Sequence, residues 1–246
     1  MMDMALYILP VLAFCAHIYA FVALMLGRTH LGIMLTSSGV FFLACTAVIN
    51  WSQVHRLPVY NLYETCMHTS LVLALCLLGW GLKQPRPEVT AWGNVFLALL
   101  LGLAISVLGQ FNHDFYMYQV WSVQLFFALR LTAAGILLFS FLLFTSVWVR
   151  GLKAGANNGS SSMRPATASL LLAGVCFLSS ELSGTIWCVL GWGDTWHWSS
   201  NFFQSAKIFL LLMLPLHIPQ DWKKTSLRAG SGSLCTLAAA LAIMLP

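Results

Sequence analysis

Charge is scarce in this chain. Asp, Glu, Lys and Arg make up 8% of its 246 residues, against roughly a quarter in soluble domains. With 59% hydrophobic residues and a mean hydropathy of +0.83, a water-covered globule is excluded and an integral membrane protein is indicated. Long polar segments are lacking too. The longest, Gly151 to Pro165, is a Gly/Ser/Asn-rich loop, which leaves no room for a soluble domain. There is no internal repeat. The seven cysteines (Cys15, Cys45, Cys66, Cys76, Cys176, Cys188, Cys235) form no CxxC and no metal-ligand spacing. Most sit inside apolar runs, where Cys behaves as a small hydrophobe and says nothing of the redox compartment.

What the chain does have is a succession of apolar runs, at about 5–26, 31–50, 66–82, 90–109, 123–148, 166–190 and 203–217, with a shorter one at about 231–245. Spanning a bilayer takes about 20 residues. The runs predict an all-α, polytopic transmembrane bundle of about eight spans forming one domain over 1–246. The first run has no small-residue cleavage site and leads at once into another span, so it reads as a retained helix. Basic residues sort by loop parity. Arg28, then Lys83 and Arg86, then Arg150, Lys153 and Arg164, then Lys223, Lys224 and Arg228 fall on one side, and only Arg56 on the other. Cytoplasmic loops are rich in Lys and Arg, which places both termini on the outer side. The net charge of +5 therefore reports topology, and no nucleic-acid partner is implied.

On that outer side lies Trp192-Gly193-Asp194-Thr195-Trp196-His197-Trp198, within a tryptophan-rich segment at 187–203. Flat aromatic faces beside an imidazole suit a flat, apolar, metal-bearing ligand such as haem. An interfacial tryptophan belt is the alternative. His55 and His113 also fall in outer loops. Glu64 and His68 are one helical turn apart, and Asn61-Leu62-Tyr63-Glu64 reads either as a capped helix start or as a pocket wall. Within the spans, Arg130 and Glu181 lie at similar depths, roughly 12 and 15 Å below the outer ends of their helices. They are expected to form an ion pair, unless Arg130 serves a ligand carboxylate. Lys207, near an outer helix end, is expected to snorkel. His17 and His217, roughly 18 and 21 Å down, are candidate axial ligands of a b-type haem, or polar packing residues.

Taken together, Gly184-Thr185-Ile186-Trp187, Trp192-Gly193, Trp196, Trp198 and His217 resemble the signature of the cytochrome c assembly, haem-handling (WWD-domain) family. The interval from Trp198 to His217 matches without a gap, and Asn61-Leu62-Tyr63-Glu64 after Leu57-Pro58 resembles the NLYE motif of its CcsA/ResC-type branch. The resemblance implies that Trp187, Trp192, Gly193, Trp196 and Trp198 cradle haem b and that His217 is a membrane ligand. It further implies an apocytochrome c substrate, a partner membrane protein of CcsB/ResB type, and a place in a cytochrome c haem lyase of the bacterial cytoplasmic membrane. The chain departs from the pattern where Ser199 replaces the closing acid, with Asp194 inside the motif instead. Gln124 and Leu125 follow Trp121 where the family carries a histidine, which leaves His113, His68 and His197 as candidate outer ligands.

Two other functions fit the same residues. One is a membrane anchor or electron-transfer subunit holding a structural b haem between His17 and His217 or His68. The other is an assembly scaffold that has kept the shape without the haem.

Overall fold

A computed structural model describes residues 2–83, 87–107, 120–153, 163–193, 200–218 and 225–245. Among these the secondary structure is entirely helical: α1 (Met2–Met25), α2 (Thr29–Val54), α3 (Leu62–Lys83), α4 (Pro87–Ser106), α5 (Trp121–Lys153), α6 (Arg164–Trp192), α7 (Ser200–His217) and α8 (Thr225–Met244). Helices follow from apolar runs of this length, because in lipid each backbone N–H and C=O must find its partner within the segment. Seven are long and apolar enough to cross a membrane, so the chain is a multi-pass membrane protein.

The short helix is not the one the sequence marks. α8 begins at Thr225 and takes in the polar Ser226 and Arg228, which a count of apolar residues from 231 omits. In α7, by contrast, the apolar stretch is limited to Phe202–His217.

Successive helices run antiparallel. Leu24 at the end of α1 fills the space beside Gly32 at the start of α2, and Gly81 near the end of α3 lies against Thr90 at the start of α4. The Ser140 hydroxyl of α5 donates to the Ala166 carbonyl of α6 (2.9 Å). Gln204 near the start of α7 donates to the Ala242 carbonyl near the end of α8 (2.8 Å). α5 is the hub, packed most extensively on α6 and α8; α1, α2 and α4 form a second group, and α3 joins the two. Lipid tails are as apolar as leucine, so helices associate by close packing at small residues. Gly135 against Val72 and Gly232 against Phe144 leave no space for a Cβ.

This arrangement gives the bundle two different ends. The α2–α3 connection, the start of α5, the end of α6 and the start of α7 gather at one, with most of the aromatic residues discussed below. Arg28, Lys83, Arg150, Arg164 and Arg228 mark the helix ends at the other.

Candidate functional site

The aromatic end is built on a turn. α2 stops at Val54, and His55 takes a left-handed conformation (φ 51) with its N–H on the Trp51 carbonyl (2.9 Å). Positive φ is uncommon outside glycine; here the turn carries Arg56 inward to 5% exposure. Its guanidinium forks onto Glu64, Nη1 to Oε2 at 3.0 Å and Nη2 to Oε1 at 3.2 Å, and Glu64 is wholly buried. Glu64 also accepts from the Tyr60 N–H (2.8 Å), while Asn61 Oδ1 accepts from the Glu64 N–H (2.7 Å). Asn61 is thus the cap of α3, and of the two readings of Glu64 the geometry gives the helix-start acid. Gln124 accepts from the Leu57 N–H (3.2 Å) and ties this turn to α5.

From here a chain of rings crosses to α6. The Arg56 guanidinium lies 4.7 Å from the Tyr60 ring centre. Tyr60 meets Phe127 at 5.0 Å, Phe127 meets Phe126 at 5.0 Å, Phe126 meets Trp187 at 6.1 Å and Trp187 meets Trp192 at 5.4 Å. These are ordinary distances for attractive tilted and edge-on pairs. The segments around Asn61 and Trp187, far apart in sequence, therefore share one aromatic seam. Trp192 stands 62% exposed at its rim, and Gly193 closes α6 in the left-handed conformation (φ 74).

Under Phe126 sits Arg130, 4.7 Å from that ring centre and 5.6 Å from that of Phe177. Arg130 Nη2 lies 3.1 Å from Glu181 Oε1 on α6 and donates to Ser205 Oγ on α7 at 2.6 Å. The expected ion pair thus forms, joined by Ser205, an ordinary residue of the start of α7 that no local pattern marks. Arg130 Nε and Glu181 Oε1 within the pair, and Trp187 Nε1 beyond Phe126, are buried polar atoms without hydrogen-bond partners among the described residues. Glu181 Oε1 is close enough to Arg130 for Coulomb attraction without being aligned as an acceptor. The two N–H groups are donors in search of an acceptor, and leaving a buried donor unpaired costs about 1–3 kcal/mol.

Among the described residues, the histidines proposed as ligands are dispersed. His17 is wholly buried, with Nδ1 2.7 Å from Asn94 Oδ1. Asn94 in turn donates to the Thr90 carbonyl (2.8 Å) and to Thr36 Oγ1 (3.2 Å). The other side of the ring fills the space of the missing side chain at Gly39, where a Cβ would fall 2.6 Å from Nε2. An iron could reach that nitrogen only if α1 and α2 parted. His217 is exposed at the end of α7, its Nδ1–H donated to the Met213 carbonyl (2.9 Å). His68 Nε2 lies 3.1 Å from Thr132 Oγ1 on α5. α1 packs on α2 and α4, and α7 on α8 and lightly on α6, so His17 and His217 are not brought together. Among the described residues no group of three or more His, Cys, Asp or Glu side chains could hold a metal ion.

Of the residues singled out in the sequence, Trp187, Trp192, Gly193 and Arg130 thus converge, and His17, His68 and His217 lie apart from one another. Trp196, Trp198, His113 and His197, with Asp194 and Ser199, lie outside the described residues. Neither the known family models nor the curated protein sequences give a match to this chain.

Proposed function

We propose that the aromatic end binds haem by its ring and one propionate and presents it at the extracytoplasmic face for attachment to apocytochrome c. The observation that carries this reading is the two unmet donors, Arg130 Nε–H and Trp187 Nε1–H, both next to the Phe126 ring, with Trp192 exposed beside the half-buried Trp187. A flat apolar ring bearing carboxylates answers both features at once. The residues fit the organic part of haem. Trp187 and Trp192 take the ring, the two N–H groups take a carboxylate, and Glu181 with Ser205 holds Arg130 in place. By the resemblance, Trp196 and Trp198 are further residues for contact with the ring. The imidazole for iron comes from His113, His197 or a partner membrane protein, since His17 is sealed by Asn94 and Gly39, His68 is held by Thr132, and His217 ends α7 at the opposite end of the bundle.

The basic residues at the opposite end favour an extracytoplasmic position for the aromatic end, in the cytoplasmic membrane of a bacterium. In this role the chain is one subunit of a cytochrome c haem lyase. Thiolate addition to a vinyl group asks for positioning more than for an acid or base, and binding surfaces such as this one supply positioning. The anchor reading, with haem between His17 and His217, runs against their placement on helices that do not pack together.

The test is to titrate the purified protein with haem and with haem dimethyl ester, which has the same ring and no carboxylates. Haem is expected to bind at least about tenfold more tightly, a difference of about 1.4 kcal/mol. Equal affinity for the two, or no binding of either, contradicts the reading.

A further inference from the structure

At the arginine-rich end, away from the aromatic seam, a cavity of about 330 Å³ opens between the end of α1, the start of α4 and the last part of α5. That is within the range of about 300–1,000 Å³ of ligand pockets. Its lining runs along α5 from Leu142 to Arg150, roughly 12 Å at the rise of a helix. The cavity therefore descends from the helix ends, where headgroups lie, to the depth of acyl chains. Trp92, Leu142 and Val149 give it apolar walls, and Trp92 is propped by Phe21 of α1 at 6.1 Å.

Two opposite charges, Glu88 and Arg150, line the same cavity without pairing with each other. Glu88, in the first turn of α4, is exposed and makes no ion pair or side-chain hydrogen bond among the described residues. Arg150 is held to its own helix, Nε donating to the Ser146 carbonyl (3.1 Å) and Nη2 to the Ser146 hydroxyl (3.1 Å). A fixed guanidinium suits a phosphate, and a free carboxylate suits an ammonium. We infer that the cavity takes the headgroup and the upper part of one acyl chain of a phospholipid whose headgroup carries both a phosphate and a primary ammonium. The phosphate lies on Arg150, the ammonium on Glu88, and an acyl chain runs down Trp92, Leu142 and Val149. A phosphatidylglycerol offers Glu88 no cation. A phosphatidylcholine offers one that cannot donate a hydrogen bond. Charge thus excludes phosphatidylglycerol and hydrogen bonding excludes phosphatidylcholine, which leaves the ethanolamine headgroup of the three. This inference does not depend on the function proposed for the other end.

The experiment reconstitutes the full chain into nanodiscs of equal parts phosphatidylethanolamine, phosphatidylglycerol and phosphatidylcholine, then identifies retained lipid by native mass spectrometry. The wild type is expected to retain phosphatidylethanolamine over each of the others by about fivefold. Glu88→Gln is expected to erase that preference, and Arg150→Gln to lose retained lipid of every kind. Val149→Trp fills the cavity, leaves both charges in place and is expected to lose the lipid as well. Retention in the bulk ratio, selection of phosphatidylglycerol by the wild type, or undiminished retention in Val149→Trp overturns the inference.

Discussion

Glu64 accepts two hydrogen bonds from Arg56 and one from the Tyr60 N–H while wholly buried. Removing one member of a buried pair strands the other, at a cost of about 3–5 kcal/mol, whereas replacing both by apolar side chains is often close to neutral. Arg56→Ala and Glu64→Ala are each expected to lower the unfolding temperature in detergent sharply. Arg56→Met with Glu64→Leu is expected to fall less than either single change. A double variant as unstable as the singles combined contradicts this account of the turn. The helix start at Asn61 was legible in the sequence because a cap and an acid three residues on form a local pattern. The partner of Glu64 was not, since Arg56 reaches it only through the left-handed turn at His55. Gln124 was likewise unreadable as the tie to Leu57, a contact between distant parts of the chain.

At the level of helices, depth and neighbourhood are separate facts, and the sequence supplies only the first. Arg130 and Glu181 lie at similar depths on helices consecutive in sequence, so their pairing could be anticipated. His17 and His217 invite the same reasoning, yet α1 and α7 belong to different parts of the bundle. The packing of α1 on α2 depends instead on the imidazole filling the space at Gly39. Gly39→Ala is expected to force α1 from α2 at about 1–3 kcal/mol, the usual cost of overpacking. In a His17→Ala background, where the ring is gone, the same change is expected to cost far less. Equal costs of Gly39→Ala in the two backgrounds, measured by unfolding in detergent, would show that the imidazole is not what fills this space.

Across the whole molecule, the apolar runs announced a multi-pass helical bundle, and the basic residues announced which ends belong together. The aromatic seam was announced only in part, through Trp187 and Trp192. Phe126, Phe127 and Ser205 are ordinary residues that matter because α5, α6 and α7 meet where they do. If the arginine-rich end faces the cytoplasm, as the distribution of Lys and Arg favours, alkaline phosphatase fused after Pro58 is expected to be active and after Arg86 inactive; the reverse pattern contradicts that orientation. The proposal as a whole turns on haem lying against Trp187 and Trp192, and the Soret band of protein purified after haem loading reads this directly. The account predicts a band in the wild type and in Trp148→Phe, whose tryptophan packs on Gly230 toward the opposite end, and loss of most of it in Trp187→Ala with Trp192→Ala. A colourless wild type, or a band unchanged in the double variant, contradicts it.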